Sequence, residues 1–182
     1  MAQLKTTLLI LGLFGSLWAN PGCARPRPQP FDVPIESRLI LQVPFFGAEA
    51  QRGAAGALAE VMTYNGRPTS AGKIVQALGE KPPSPHALAI WARGEGSRVQ
   101  LVHSDPYRLV ESVRAGQPVI VRVGATAPPL EDGDYAVVVG YNPEGVVVNS
   151  RSINQQIVAW SPFLTGWLKT DNITLEITGG HD

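Results

Sequence analysis

Cysteine and histidine are scarce in this chain, and its charges cancel. The single Cys, Cys23, can form neither an internal disulfide nor a cysteine-based zinc site. Three scattered histidines, His86, His103 and His181, offer no metal-ligand spacing, so no metal or cofactor is expected. The 15 Lys+Arg balance the 15 Asp+Glu, and the isoelectric point is near 6.8. The basic excess by which a protein holds a phosphate backbone is therefore missing, and no nucleic-acid partner is expected. A hydrophobic content of 44% excludes a wholly disordered chain, and 182 residues suit one domain with a leader or tail.

What is there begins with an address. Lys5 is the only charge before Arg25, and an apolar run from Thr7 to Ala19 follows it. A run this short behind a basic start reads as a signal-peptide core, too short to anchor by spanning a membrane. A small residue ahead of a Cys, here Gly22-Cys23, resembles the lipobox of bacterial lipoproteins, although Asn20 stands where an aliphatic residue is usual. That resemblance implies acylation of Cys23, with cleavage near Ala19 or Ala24 as the plain alternative. The expected division is a lipoprotein-type signal peptide over 1–22, a tether over 23–38, a domain over 39–178 and a tail over 179–182. Pro21 to Pro34 holds five of the sixteen prolines, which favours an extended, semi-rigid stalk. The chain left after residue 22 has 14 basic and 15 acidic residues, a net charge of −1, because only Lys5 is lost.

In the domain, Ile40 to Val43 reads as a strand. The small apolar run Gly53 to Tyr64 has helical spacing and stops at Asn65-Gly66. Further helices are predicted from a Thr69 cap to Leu78, from Ser84-Pro85 to Arg93, and from Asp105-Pro106 to Gly116. The period then changes to that of strands: Pro118–Val123, Tyr135–Tyr141, Val146–Asn149, Gln156–Trp160 and Ile173–Ile177. Asn142-Pro143-Glu144-Gly145 reads as a hairpin turn, and Ser161-Pro162 opens a short helix. Helices first and an antiparallel sheet second make an α+β domain.

Two segments carry a resemblance. VPFFGAEAQRGAAGALAEVMTYNG spans Val43 to Gly66, and GDYAVVVGYNPEGVVVNSR spans Gly133 to Arg151. In this order they resemble the bacterial C39-like cysteine peptidases of the papain-like fold, in particular the envelope-lipoprotein branch. The family reads approximately VPFFPQ, four residues, then CGPAALAxVL in the first block, and GHYAVVVGYD in the second. The resemblance covers Ile40 to Ile177 and implies a papain-like C39 fold, with N-terminal helices on a C-terminal antiparallel sheet. In such enzymes a Cys at a helix N-terminus gains thiolate character, a His takes its proton, a third group orients the His, and a Gln stabilises the oxyanion. Laid on that pattern, Gly53 stands at the nucleophile, Ala48 at the oxyanion Gln, Asp134 at the His and Ser150 near the orienting position. Gly53 has no side chain, and an ionised Asp134 only accepts hydrogen bonds. The resemblance thus implies a degenerate member without catalytic residues, a pseudo-peptidase.

Around these positions, Glu131, Asp132 and Asp134 form an acidic cluster expected to open onto the former cleft. It reads as a basic-peptide or cation site, or as a solvated loop. Phe45, Phe46, Asp134 and Tyr135 are candidate cleft-binding residues. Phe45 and Phe46 are consecutive, so one of them is expected to face the cleft. Trp160 and Trp167 read as lining a peptide groove or as core, and Gly124 to Asp132 as a variable binding loop. Three functions stand open. The first is a non-catalytic module on a bacterial membrane that binds a peptide or protein partner, in export or envelope assembly. The others are a structural lipoprotein subunit using another face, and a peptidase or other hydrolase with relocated residues. The expected location is exported and membrane-anchored through Cys23, facing the periplasm or cell surface. Ala24 after Cys23 favours the outer membrane in a diderm cell.

Overall fold

The computed structural model describes residues 38–47, 53–125, 127–151 and 153–179. Cys23, Ala48 and His181, and with them the leader and nearly all of the tether, lie outside the described residues. The elements in chain order are β1 (Leu39–Ile40), α1 (Ala54–Tyr64), α2 (Ala71–Leu78), α3 (Pro85–Gly94), β2 (Arg98–His103), α4 (Pro106–Arg114), β3 (Val119–Arg122), β4 (Tyr135–Tyr141), β5 (Gly145–Ser150), β6 (Ile153–Ala159), α5 (Trp160–Leu168) and β7 (Ile173–Thr178). Among the described residues no helix is long and apolar enough to cross a membrane.

Local chemistry accounts for the helix starts. Ser84 and Asp105 cap α3 and α4 by accepting hydrogen bonds from the Ala87 and Arg108 N–H groups, and each cap is followed by Pro at the first helical position. The cap of α2 is Ser70, whose Oγ accepts from the Lys73 N–H at 3.2 Å, not Thr69 one residue earlier. Asn142 Oδ1 accepts from the N–H groups of both Glu144 and Gly145, which closes the predicted hairpin turn between β4 and β5.

All strands pair antiparallel, in the order β2-β7-β3-β4-β5-β6, with β1 on β4. The α+β class holds, and α5 falls between β6 and β7 where the Ser161-Pro162 helix is expected, but a strand, β2, precedes α4 among the N-terminal helices. The strand alternation explains why. Ile120, Val137, Val139 and Val147 point to the face covered by α1 to α3. Val119, Val121, Ala136, Val138, Val146 and Val148 point to the other, where Leu109, Val113, Phe163 and Trp167 of α4 and α5 cover them. A sheet whose central strands are apolar on both faces needs helices on both sides.

Helix α1 is buried over Ala54 to Met62. Its Ala- and Gly-rich sequence lets it lie close to β3, β4 and β5 on one side and to α2 and α3 on the other.

Candidate functional site

The two motif blocks meet at one cleft. Gly53 and Ala54 at the start of α1 form its floor, Gly133, Asp134 and Tyr135 at the start of β4 form one wall, and Arg151 reaches in from the β5–β6 turn. The opposite wall is the end of α2 with the connection Gly79 to Pro83. The cleft has a volume of about 200 Å³.

Gly53 is the N-cap of α1, with φ 56° and ψ −112°. Nothing stands within 4 Å of where its Cβ would be, so space for a side chain exists but the backbone there suits only glycine. Among the described residues no side chain caps α1, and its first turn carries no acid. We expect Gly53→Ala to lower stability by about 1–3 kcal/mol, from the strained conformation alone; urea denaturation checks it. Gly53→Cys meets the same strain, so returning a thiol to this point also requires the backbone before α1 to change.

Asp134 is 3% exposed. Its Oδ1 accepts from Arg151 Nε at 2.5 Å and its Oδ2 from the Glu131 N–H at 2.8 Å. The carboxylate is thus held by a guanidinium and a loop amide. Arg151 is half-exposed, at 46%, and adopts a positive φ of 45° in its turn. Removing it strands a buried carboxylate with one amide. We expect Arg151→Ala to cost about 1–2 kcal/mol, reduced from the figure for a fully buried pair because solvent reaches the arginine; a double-mutant cycle with Asp134→Asn isolates the coupling.

Tyr135 is buried, and its hydroxyl donates to the Pro83 carbonyl at 2.9 Å, which ties the two cleft walls together. Burial pushes its phenol up to about 12, partly opposed by the nearby Arg122 guanidinium, so it stays protonated at neutral pH. Ser150 is buried and donates its hydroxyl to the Tyr135 carbonyl at 3.0 Å, so it braces β4 against β5 and orients nothing in the cleft.

The structure brings Gly53, Asp134 and Tyr135 together and adds Arg151, Glu80 and Lys81. Several expectations change. Phe45 and Phe46 are both half-buried and neither lines the cleft; Phe46 packs on the helix-side core instead. The acidic cluster does not assemble: Asp134 is paired inward, Glu131 is exposed, and Asp132 Oδ1 accepts the Ala125 N–H at 2.8 Å to close its own loop. No group of acids, histidines or cysteines among the described residues is arranged for a metal ion.

The Gly124 to Asp132 loop is also not a free binding loop. Ala127 and Leu130 are buried in the core, the Gly124 N–H donates to the Gly166 carbonyl, and Lys169 Nζ donates to the Ala125 carbonyl, so α5 holds it down. His86 and His103 are exposed and do not line the cleft, and His103 Nδ1 contacts the Asp171 carbonyl. Arg151 had a signal in the sequence, because a carboxylate set into an apolar strand motif calls for a nearby cation.

No protein-family model matches the chain, and no curated protein matches it in sequence. Solved structures do match in shape. A Bacillus anthracis protein described as a C39-like peptidase superposes with a TM-score of 0.66 at 16% identity, over 81% of this chain and 100% of that one. A double glycine motif protease from an AMS/PCAT transporter, in complex with the leader peptide, gives 0.62 at 16% identity, over 78% and 94%. The peptidase domain of Streptococcus ComA, a bifunctional ABC transporter of a quorum-sensing pathway, gives 0.56 at 16% identity, over 79% and 98%. The chain has a C39-like peptidase fold.

Proposed function

We propose that this C39-like fold is a non-catalytic binding module, displayed on a bacterial membrane through an acylated Cys23 and used to hold a peptide or protein partner in export or envelope assembly. The observation that carries this reading is the pairing of Asp134 with Arg151 opposite Gly53. At the positions matching the family's nucleophile and base, one residue has no side chain and the other is a carboxylate already neutralised by a guanidinium. Cysteine-peptidase chemistry needs a thiolate and an imidazole within hydrogen-bond reach, and this pair supplies neither. A lined cleft remains, with the Tyr135 side chain fixed and polar groups at its rim, which suits binding. A structural neighbour solved with a leader peptide shows that a protein of this fold binds peptide, which supports the same use here.

Two measurements test the reading. The purified domain, incubated with a mixed peptide library and followed by mass spectrometry, is expected to cleave nothing above a buffer control. Amide NMR shifts on adding the same library are expected at Gly53, Tyr135 and Arg151, and to vanish in Arg151→Ala. Cleavage above that control would establish a hydrolase with relocated residues. Shifts confined to other faces would favour a structural subunit. For the anchor, the Cys23→Ser variant is expected to leave the membrane fraction; if it stays, Cys23 is not what holds the chain there.

A further inference from the structure

The cleft wall opposite Asp134 is thinly held. Residues 79–83 join α2 to α3 and line the cleft, with residues 79–82 exposed and Pro83 half-buried. None of them belongs to the apolar cores on the two sides of the sheet. Pro82 and Pro83 have no N–H to donate. Among the described residues, the bond from the Tyr135 hydroxyl to the Pro83 carbonyl, at 2.9 Å, is the only hydrogen bond that reaches residues 80–83. Glu80 and Lys81 form no ion pair among the described residues.

The two sides of that bond are unequally fixed. Tyr135 is buried, its strand is paired with β3 at Arg122, and Ser150 donates to its carbonyl. On the other side, Gly79 follows α2 with φ 89°, and nothing stands within 4 Å of where its Cβ would be. Beyond Pro83 the chain is anchored again, by the Ser84 cap of α3 and the buried Pro85. When the bond opens, residues 79–83 therefore move and Tyr135 stays, with a glycine joint at one end of the moving piece.

Size gives the movement a purpose. The cleft holds about 200 Å³, whereas pockets that enclose a small ligand commonly span about 300–1,000 Å³. The closed cleft has room for a side chain but not for the main chain on either side of it.

We propose that residues 79–83 are a strap across the cleft, that Tyr135 is the positioning residue that holds it shut, and that an extended peptide segment enters when this bond opens. What enters rests on the binding reading above; the movement of the strap does not. A wall made by Pro82 and Pro83 carries acceptors and no donors, so it suits the N–H groups of an entering main chain.

Relaxation dispersion of the amide nitrogens, on the wild-type protein and on Tyr135→Phe without peptide, tests the strap. The substitution removes only the hydroxyl. From the usual net worth of one neutral hydrogen bond, the open population reported by the Gly79, Glu80 and Lys81 amides is expected to rise about three- to tenfold in the variant. The same population in both proteins, or no dispersion in either, overturns the strap. The mixed peptide library then tests entry. Where binding needs the open state, apparent affinity follows its population, so the Gly53 amide shift is expected to reach half its size at about three- to tenfold lower library concentration in Tyr135→Phe. An unchanged or higher concentration overturns entry beneath the strap. No shift in either protein removes the binding reading and entry with it, while the dispersion result still decides the strap. Should the variant fail to fold, the wild type decides: dispersion confined to residues 79–81 supports the strap, and flat profiles there remove it.

Discussion

Trp167→Ala is expected to lower the unfolding free energy by about 3–5 kcal/mol, enough to leave a domain of this size barely folded. Trp167 is fully buried on the α5 face of the sheet, its ring lies 5.6 Å from that of Phe163, and its indole N–H reaches the Ile173 carbonyl. Truncation therefore leaves a cavity among β-branched strand residues that cannot collapse into it, and strands an acceptor at the start of β7. Trp160 provides the control. It is only partly buried, with its indole N–H on the Asn142 carbonyl, so Trp160→Ala is expected to cost less than half as much. Urea denaturation of the two variants checks the ranking. Similar losses would mean that the α5 face contributes little beyond its edge.

Stability is expected to fall as the solution is made more alkaline across the neutral range, and Glu60 is the cause. Its folded-state carboxyl lies at about 7, against 4.5 for a glutamate in water. A group raised in this way contributes stability that is fully present below about 4.5 and is lost as pH rises through about 7. The difference amounts to roughly 3 kcal/mol at the alkaline end. Glu60→Gln holds the neutral form at every pH, so the gap between the two curves, not either curve alone, isolates the effect. A wild-type curve that runs parallel to the variant's from pH 5 to 8.5 would show that Glu60 is already ionised in the folded protein.

The elements were legible where local chemistry dictates them. Tyr135–Tyr141 is the predicted strand to the residue, and Pro after a capping Ser84 or Asp105 marked two helix starts. Other boundaries moved for physical reasons: β1 is only Leu39–Ile40, because it pairs with β4 just at Tyr141 and Gly140 before Pro44 turns the chain away. At the site, the convergence of Gly53 with Asp134 and Tyr135 was legible through motif order. The need for a cation beside Asp134 was legible too, but not that Arg151 supplies it, since that depends on how the β5–β6 turn folds back. Glu60 was missed because an acid inside a helical run normally marks a solvent face, and α1 has none: α2 and α3 cover the side away from the sheet. Phe45 and Phe46 were misplaced because strand alternation was applied to a stretch that forms no strand.

The position of β7 has a consequence for how the chain reaches its native state. β7, the last strand in chain order among the described residues, is not at an edge: it lies between β2 and β3, pairing Arg98 with Thr178 on one side and Val119 with Glu176 on the other. Until residues 173–178 arrive, β2 has no neighbour and the sheet cannot close. Contacts this distant in sequence slow the search for the native topology, since the closure entropy of the long loop comes before the reward. Synthesis can therefore supply α1 to α4 early, but cooperative folding waits for the C-terminal strand. A chain cut just before Ile173 is expected to stay open and protease-sensitive, although it would retain both motif blocks that form the cleft.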